Sequence, residues 1–238
     1  LNQAPGGTAR LVAMRQDALR LAPGIPGFAA LDGDFAHLFA SWFNGGFLTL
    51  RQLDWSTSGA VLAKLMEYEA VHAIESWEAL RARVEPDDRR CYAFFHPQME
   101  DEPLIFVEVA LMDRMPAGIA EILRLDRPQI AAREATSAIF YSISNCQAGL
   151  RGIPFGGPLL KQVVDRLRAE LPALRHTMTL SPMPGFARWL AGAAPNLAER
   201  LAVPGEEEDP ALETPLVKLA ARYLLTAKGR AADPVARF

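Results

Sequence analysis

The chain has 238 residues, half of them hydrophobic, enough for one large domain with a sizeable apolar core. Its net charge of −3 gives no global basic field, which argues against general nucleic-acid binding. No apolar run reaches the roughly 18 residues of a membrane span, and Cys91 and Cys146 form neither a CxxC pair nor a zinc-spaced cluster, so no metal site is expected. Two reduced thiols and no opening signal peptide read as a cytoplasmic protein.

In chain order, the turn clusters Pro5-Gly6-Gly7 and Pro23 to Gly27 flank a short helix over Ala9–Leu21. Residues 1–30 thus read as a helix and linker left from a preceding segment, with 31–238 as the main domain. Phe35, Leu38, Phe39, Trp42 and Phe43 recur at helical spacing from Asp34, and Gly45-Gly46 closes that run. Phe47–Leu53 reads as a strand. Ser56 or Ser58 caps a helix to about Val71, and Ser76 caps another through Val84.

Cys91–Phe95 and the β-branched run Leu104–Leu111 read as an antiparallel hairpin. Pro116–Leu123 reads as a helix and Ser137–Ser144 as the next strand. A glycine-rich loop, 147–157, then leads to Pro158 as the first helical residue. Leu159, Val163, Leu167 and Leu171 give that helix one apolar stripe. Arg175–Leu180 is a further strand. Strand, loop, helix, strand is a right-handed crossover, so these two strands are expected to be parallel. The fold class is α/β (α+β): a mixed, mostly antiparallel sheet flanked by helices. The acidic stretch 195–212, with Glu206 to Asp209, reads as a solvated loop, and Leu216–Ala227 as a helix.

The loop reads Gln-Ala-Gly-Leu-Arg-Gly-Ile-Pro-Phe-Gly-Gly-Pro. Four glycines before a helix let consecutive N–H groups face an anion, and the helix adds its positive dipole end. Arg151 and Lys161 are placed to face phosphate. The spacing is neither GxGxxG nor a P-loop, so the residues alone leave phosphate binding and a plain helix-entry turn both open. By analogy of fold, such a loop is also the pyrophosphate site of GNAT-type acetyltransferases.

Other candidates have plainer readings. Ser181 sits in a Pro-flanked turn, and His96 is a turn histidine. His37 and His72 are packing or surface residues on helical faces. His176 lies inside a strand. Ser142 and Ser144 share one strand face, and Cys146 lacks an evident base. Glu108 is read onto the open face of the sheet in preference to the alternative of a buried acid.

Several long strings, in order, resemble malonyl-CoA decarboxylase: LNQAPGGTARLVAMR (1–15), HLFASWFNGGFL (37–48), YEAVHAI (68–74), FFHPQMEDEPLIFVEVAL (94–111), AIFYSISNCQAGLRGIPFGGPLLKQVV (138–164), LSPMPGF with RWL (180–190) and DPVARF (233–238). The resemblance implies a GNAT-like catalytic domain after an N-terminal helical domain that mediates homo-oligomers. It implies conversion of malonyl-CoA to acetyl-CoA and carbon dioxide. It implies no metal or organic cofactor, coenzyme A being part of the substrate. The coenzyme A loop maps onto Arg151, Gly152, Ile153, Pro154, Phe155, Gly156 and Gly157, and the catalytic serine onto Ser181. The family's catalytic histidine is expected directly after Phe238. This gives the expectation of a chain truncated at both ends and inactive by itself. A GNAT-type acyltransferase and a non-catalytic coenzyme A-binding module stand as alternatives.

Overall fold

The computed structural model describes residues 4–22, 24–183, 185–201 and 210–228. Five strands form one sheet in chain order: β1 (Thr49–Leu53), β2 (Arg89–Phe95), β3 (Ile105–Met112), β4 (Ser137–Asn145) and β5 (His176–Thr179). The first three junctions are antiparallel and β4–β5 is parallel. This is the mixed, mostly antiparallel sheet with one crossover expected from the sequence. The β-branched and aromatic content of β3 and β4 suits a strand buried on both faces, and both are buried along almost their whole length.

The β3–β4 register slips once. Val109 opposes Phe140, but Glu108 opposes Ser142, which leaves Tyr141 as the extra residue of a bulge. Before the bulge, Ala138 and Phe140 join the first core; beyond it Ile143 takes that side. Ser142 and Ser144 turn to the opposite face, so one inserted residue resets which side chains β4 presents to each side.

The first core is built against one face by α1 (Gly7–Leu21), α2 (Phe28–Trp42) and α6 (Gly156–Glu170). Phe35, Phe39 and Phe43 recur every four residues, and their rings pack in sequence with centroids 5.7 Å apart. Leu159, Val163 and Leu167 form the fully buried stripe of α6. Each such side chain contributes about 1.5–3 kcal/mol by burial. The second core covers the other face with α3 (Gly59–Tyr68) and α4 (Trp77–Val84). Their caps are the serines expected: Ser58 Oγ accepts from Val61 N–H and Ser76 Oγ from Ala79 N–H. The one-turn α5 (Ile119–Leu123) lies between β3 and β4 in the chain.

Several boundaries differ from the sequence reading. The second helix begins at Phe28 rather than Asp34, entered through Gly27 at φ 84°. α3 stops at Tyr68 because Glu69 is extended. α6 begins at Gly156, which puts Pro158 third; a proline fits anywhere in a first turn, whose N–H groups lack intrahelical acceptors. Glu108 is fully buried and ion-paired with Arg83, not on an open face.

Ser181 and Pro182 separate two compact units. The second contains α7 (Phe186–Ala193), α8 (Pro195–Leu201) and α9 (Pro210–Lys228). Phe186, Trp189 and Tyr223 cluster there with centroids 5.5–5.9 Å apart. Residues 195–201 are thus helical rather than loop, while Glu206–Asp209, Pro184 and the Asp233–Phe238 motif lie outside the described residues. Among the described residues no helix is long and apolar enough to cross a membrane.

Candidate active site

The glycine loop leaves the end of β4 and enters α6 through a single 3₁₀ turn, Ala148–Leu150. Gly152 adopts φ 83°, the left-handed region that favours glycine, and a Cβ there would meet open space. Ile153 N–H closes the turn onto Leu150 C=O at 3.0 Å. The carbonyls of Gly149 and Arg151 both accept from the buried Arg15 of α1, whose Nη1 donates to them at 2.7 and 3.0 Å. Gly149 lies so close to α1 that a Cβ would sit 2.0 Å from Val12 O.

Because the Arg151 carbonyl is held by Arg15, the Gly152 N–H of the same planar peptide points the opposite way. Among the described residues no protein acceptor is found for the N–H groups of Gly152, Phe155, Gly156 and Gly157. The last two belong to the first turn of a 15-residue helix, at its positive end. Arg151 and Lys161 are exposed on either side. Phe155 contributes only its backbone, since its side chain is 2% exposed and belongs to the core, and Ile153 packs against the same core.

Ser181 is exposed and lies two residues past β5. Leu180 N–H still bonds Phe140 C=O at 2.8 Å, so the strand geometry persists to it. Thr177 and Thr179 line a groove of about 330 Å³ with Leu160 and Val164 of α6 and Phe140. By the same alternation Ser181 belongs to the α6 side. Because β4 and β5 are parallel, Ser181 and the glycine loop leave the sheet at the same end. Register pairs Phe140 with Thr179, so β4 runs on about 10 Å beyond the level of Ser181, its residues 142–145 paired in the sheet only with β3.

A buried polar cluster occupies the other face at the bulge. Ser142 Oγ lies 2.7 and 2.8 Å from the two carboxylate oxygens of Glu69, and Ser144 Oγ donates to it at 3.3 Å. Arg83 Nη1 donates to Glu108 Oε2 at 3.0 Å, and Nη2 to Ala73 C=O. Burial pushes the Glu108 carboxyl up to about 7, against the pull of Arg83. Tyr141 Oη approaches Glu108, yet neither it nor Glu108 Oε1 forms a hydrogen bond of ordinary geometry. The sequence reading took His72 as a packing or surface residue on a helical face and did not single out Glu69; the string YEAVH was the signal that could have marked them.

The remaining candidates have structural roles. His96 Nδ1 accepts from Gln98 N–H and its ring packs on Phe43 at 4.9 Å. His176 is exposed at the start of β5. Burial pushes both thiols, Cys91 and Cys146, well up, away from the nucleophilic form. No three His, Cys, Asp or Glu side chains among the described residues are grouped as metal ligands. The larger concavity, about 460 Å³, opens at the opposite end of the sheet; its arginines 114 and 127 pair with Glu121 and Asp88, and Arg124 pairs with Asp126.

Models of two known domains match the chain: the malonyl-CoA decarboxylase N-terminal domain over residues 1–43 and the malonyl-CoA decarboxylase C-terminal domain over 46–238. The mitochondrial malonyl-CoA decarboxylase of Anser anser anser is 33% identical over all of this chain and 55% of its own length. That of Mus musculus is 38% identical over 81% of the chain and 40% of its own length. The chain thus spans about half the length of the curated relatives it matches. The crystal structure of malonyl-CoA decarboxylase from Rhodopseudomonas palustris is 50% identical, with a TM-score of 0.86 over 100% of this chain and 62% of that one. The corresponding structure from Agrobacterium vitis is 48% identical, with a TM-score of 0.81 over 95% and 57%.

Proposed function

This chain belongs to the malonyl-CoA decarboxylase family, and from that premise we propose that it binds malonyl-CoA and takes part in its decarboxylation to acetyl-CoA and carbon dioxide. Losing carbon dioxide from a malonyl thioester leaves an enolate, and the thioester carbonyl itself accepts the electrons. The protein's tasks are then to anchor the coenzyme A handle, stabilise the developing enolate oxygen and return a proton to carbon.

The observation that carries this reading is the set of N–H groups without a protein acceptor, those of Gly152, Phe155, Gly156 and Gly157, at the head of α6 beside a strand edge that β5 leaves open. The pyrophosphate sits on those N–H groups, with Arg151 and Lys161 adding charge. The pantetheine arm runs back along the open edge of β4, and the malonyl end arrives near Ser181. The Ser181 hydroxyl donates one hydrogen bond to a carboxylate or enolate oxygen, and Pro182 stiffens the turn that carries it. A homo-oligomeric assembly, a cytoplasmic location and a division of the chain at residue 30 belong to the same proposal.

The test has two arms. Calorimetry with acetyl-CoA should show binding that Gly152→Asp weakens at least tenfold, through lost loop geometry and added like charge; unchanged affinity removes the loop from the site. In the full-length gene product, Ser181→Ala should lower kcat for malonyl-CoA more than it lowers acetyl-CoA affinity. An acetyl product formed only when an amine acceptor is supplied would favour the acyltransferase reading instead.

A further inference from the structure

Immediately after α3, the carboxylate of Glu69 is buried and gathers donors from two directions. Ser142 and Ser144 of β4 reach it from the sheet, and the N–H groups of Val71 and His72 reach it from its own segment, each at 2.8 Å. Ala70 N–H donates to Ser144 Oγ, and Arg83 holds Ala73 C=O at the far end of the same segment. Residues 69–73 are therefore fastened at one end to β4 and at the other to Arg83 of α4, although they form no regular element. Burying a carboxylate costs several kcal/mol unless it is fully satisfied, and here the satisfaction is spent on fixing a short irregular stretch.

What that stretch carries is the imidazole of His72. It is half-buried, its ring lies 6.4 Å from that of Tyr141, and it meets the Tyr141 backbone. Tyr141 is the bulge residue, the first on β4 past its last pairing with β5. His72 thus stands where the edge of β4 comes free, level with Leu180 and Ser181. Loss of water around the ring lowers its pKa; Glu69 opposes this and Arg83 adds to it. An arriving carboxylate would favour the protonated ring, which has an N–H for the backbone of Tyr141 and a second for the newcomer.

We propose that His72 is a specificity-determining residue that receives the free carboxylate of the malonyl group, with Glu69 as the residue that positions it. The thioester lies in the open edge between the strands, Ser181 on one flank and His72 on the other. This rests on the function proposed above, and acetyl-CoA supplies the contrast, since it shares every group of the substrate except that carboxylate.

The experiment is done on the full-length gene product, with KM for malonyl-CoA and the inhibition constant of acetyl-CoA measured for each variant. His72→Ala should raise KM for malonyl-CoA about tenfold, the size expected for one charge-assisted hydrogen bond, and leave acetyl-CoA inhibition within about twofold. Glu69→Gln should give a smaller loss with the same selectivity. His72→Gln, which keeps a donor of similar reach, covers the case in which the alanine variant does not fold and should retain part of the discrimination. An unchanged KM, or equal losses for both ligands, overturns the proposal while leaving decarboxylation standing. No turnover by the unsubstituted protein overturns the proposed function and this inference together.

Discussion

On one face of the sheet, Val107, Val109, Ala138 and Phe140 meet Leu159, Val163 and Leu167 of α6 in an apolar core. On the other, Glu108, Tyr141, Ser142 and Ser144 are as deeply buried, but three of them are held by Arg83 and Glu69 and the fourth, Tyr141, has a hydroxyl with no partner. The same strands supply both. The apolar face gains stability from every contact. The polar face gains little net stability from burying charge and instead fixes particular atoms in particular places.

The contrast predicts three outcomes of falling size. Phe140→Ala cuts into the apolar face and should cost about 3–5 kcal/mol in denaturant unfolding, with a lower midpoint and little change in slope. A cost below 1 kcal/mol would mean that the α6 face is not the main stabilising layer. Glu108 tests the polar face through pH. Its folded pKa, about 7, lies above the ordinary carboxylate value of 4.5. Its contribution is therefore fully present below about pH 4.5 and is lost as pH rises through 7, a change of about 3 kcal/mol from this group. Glu108→Gln should flatten that part of the stability profile; a flat profile in the unsubstituted protein would show that Glu108 is ionised throughout. Tyr141→Phe sharpens the comparison at its small end. Because the hydroxyl has no hydrogen-bond partner, its removal should change stability by less than about 1 kcal/mol. A larger loss would assign that hydroxyl a bond to Glu108.

The sheet, its parallel junction and the serine caps could all be read from the sequence because each is written locally, in alternation, in helical spacing or in a single residue before a helix. The glycine loop was legible as a candidate for the same reason. What escaped is long-range. Glu108 looked like the open-face residue of an alternating strand because its partner, Arg83, lies 25 positions away on a different element. The bulge at Tyr141 leaves no mark in SAIFYSIS, since a strand with one extra residue has the same composition as one without. Glu69 meets Ser142 across 73 positions, and the helical pattern before it gave no sign that the chain turns extended there. Around Ser181 the residues alone supplied a turn serine; the family resemblance singled it out, and the parallel crossover already expected put it at the same end of the sheet as the loop.

Arg15 and Val12 lie within the stretch matched by the N-terminal domain model, whereas the loop they brace lies within the stretch matched by the C-terminal one. The border drawn between the two models near residue 45 is thus not a line along which the protein can be taken apart. A fragment starting there would keep every glycine of the loop proposed to hold the pyrophosphate and lose the guanidinium that binds two of its carbonyls. Shuffling of front halves among relatives should succeed only where the incoming helix brings its own arginine and an equally close backbone.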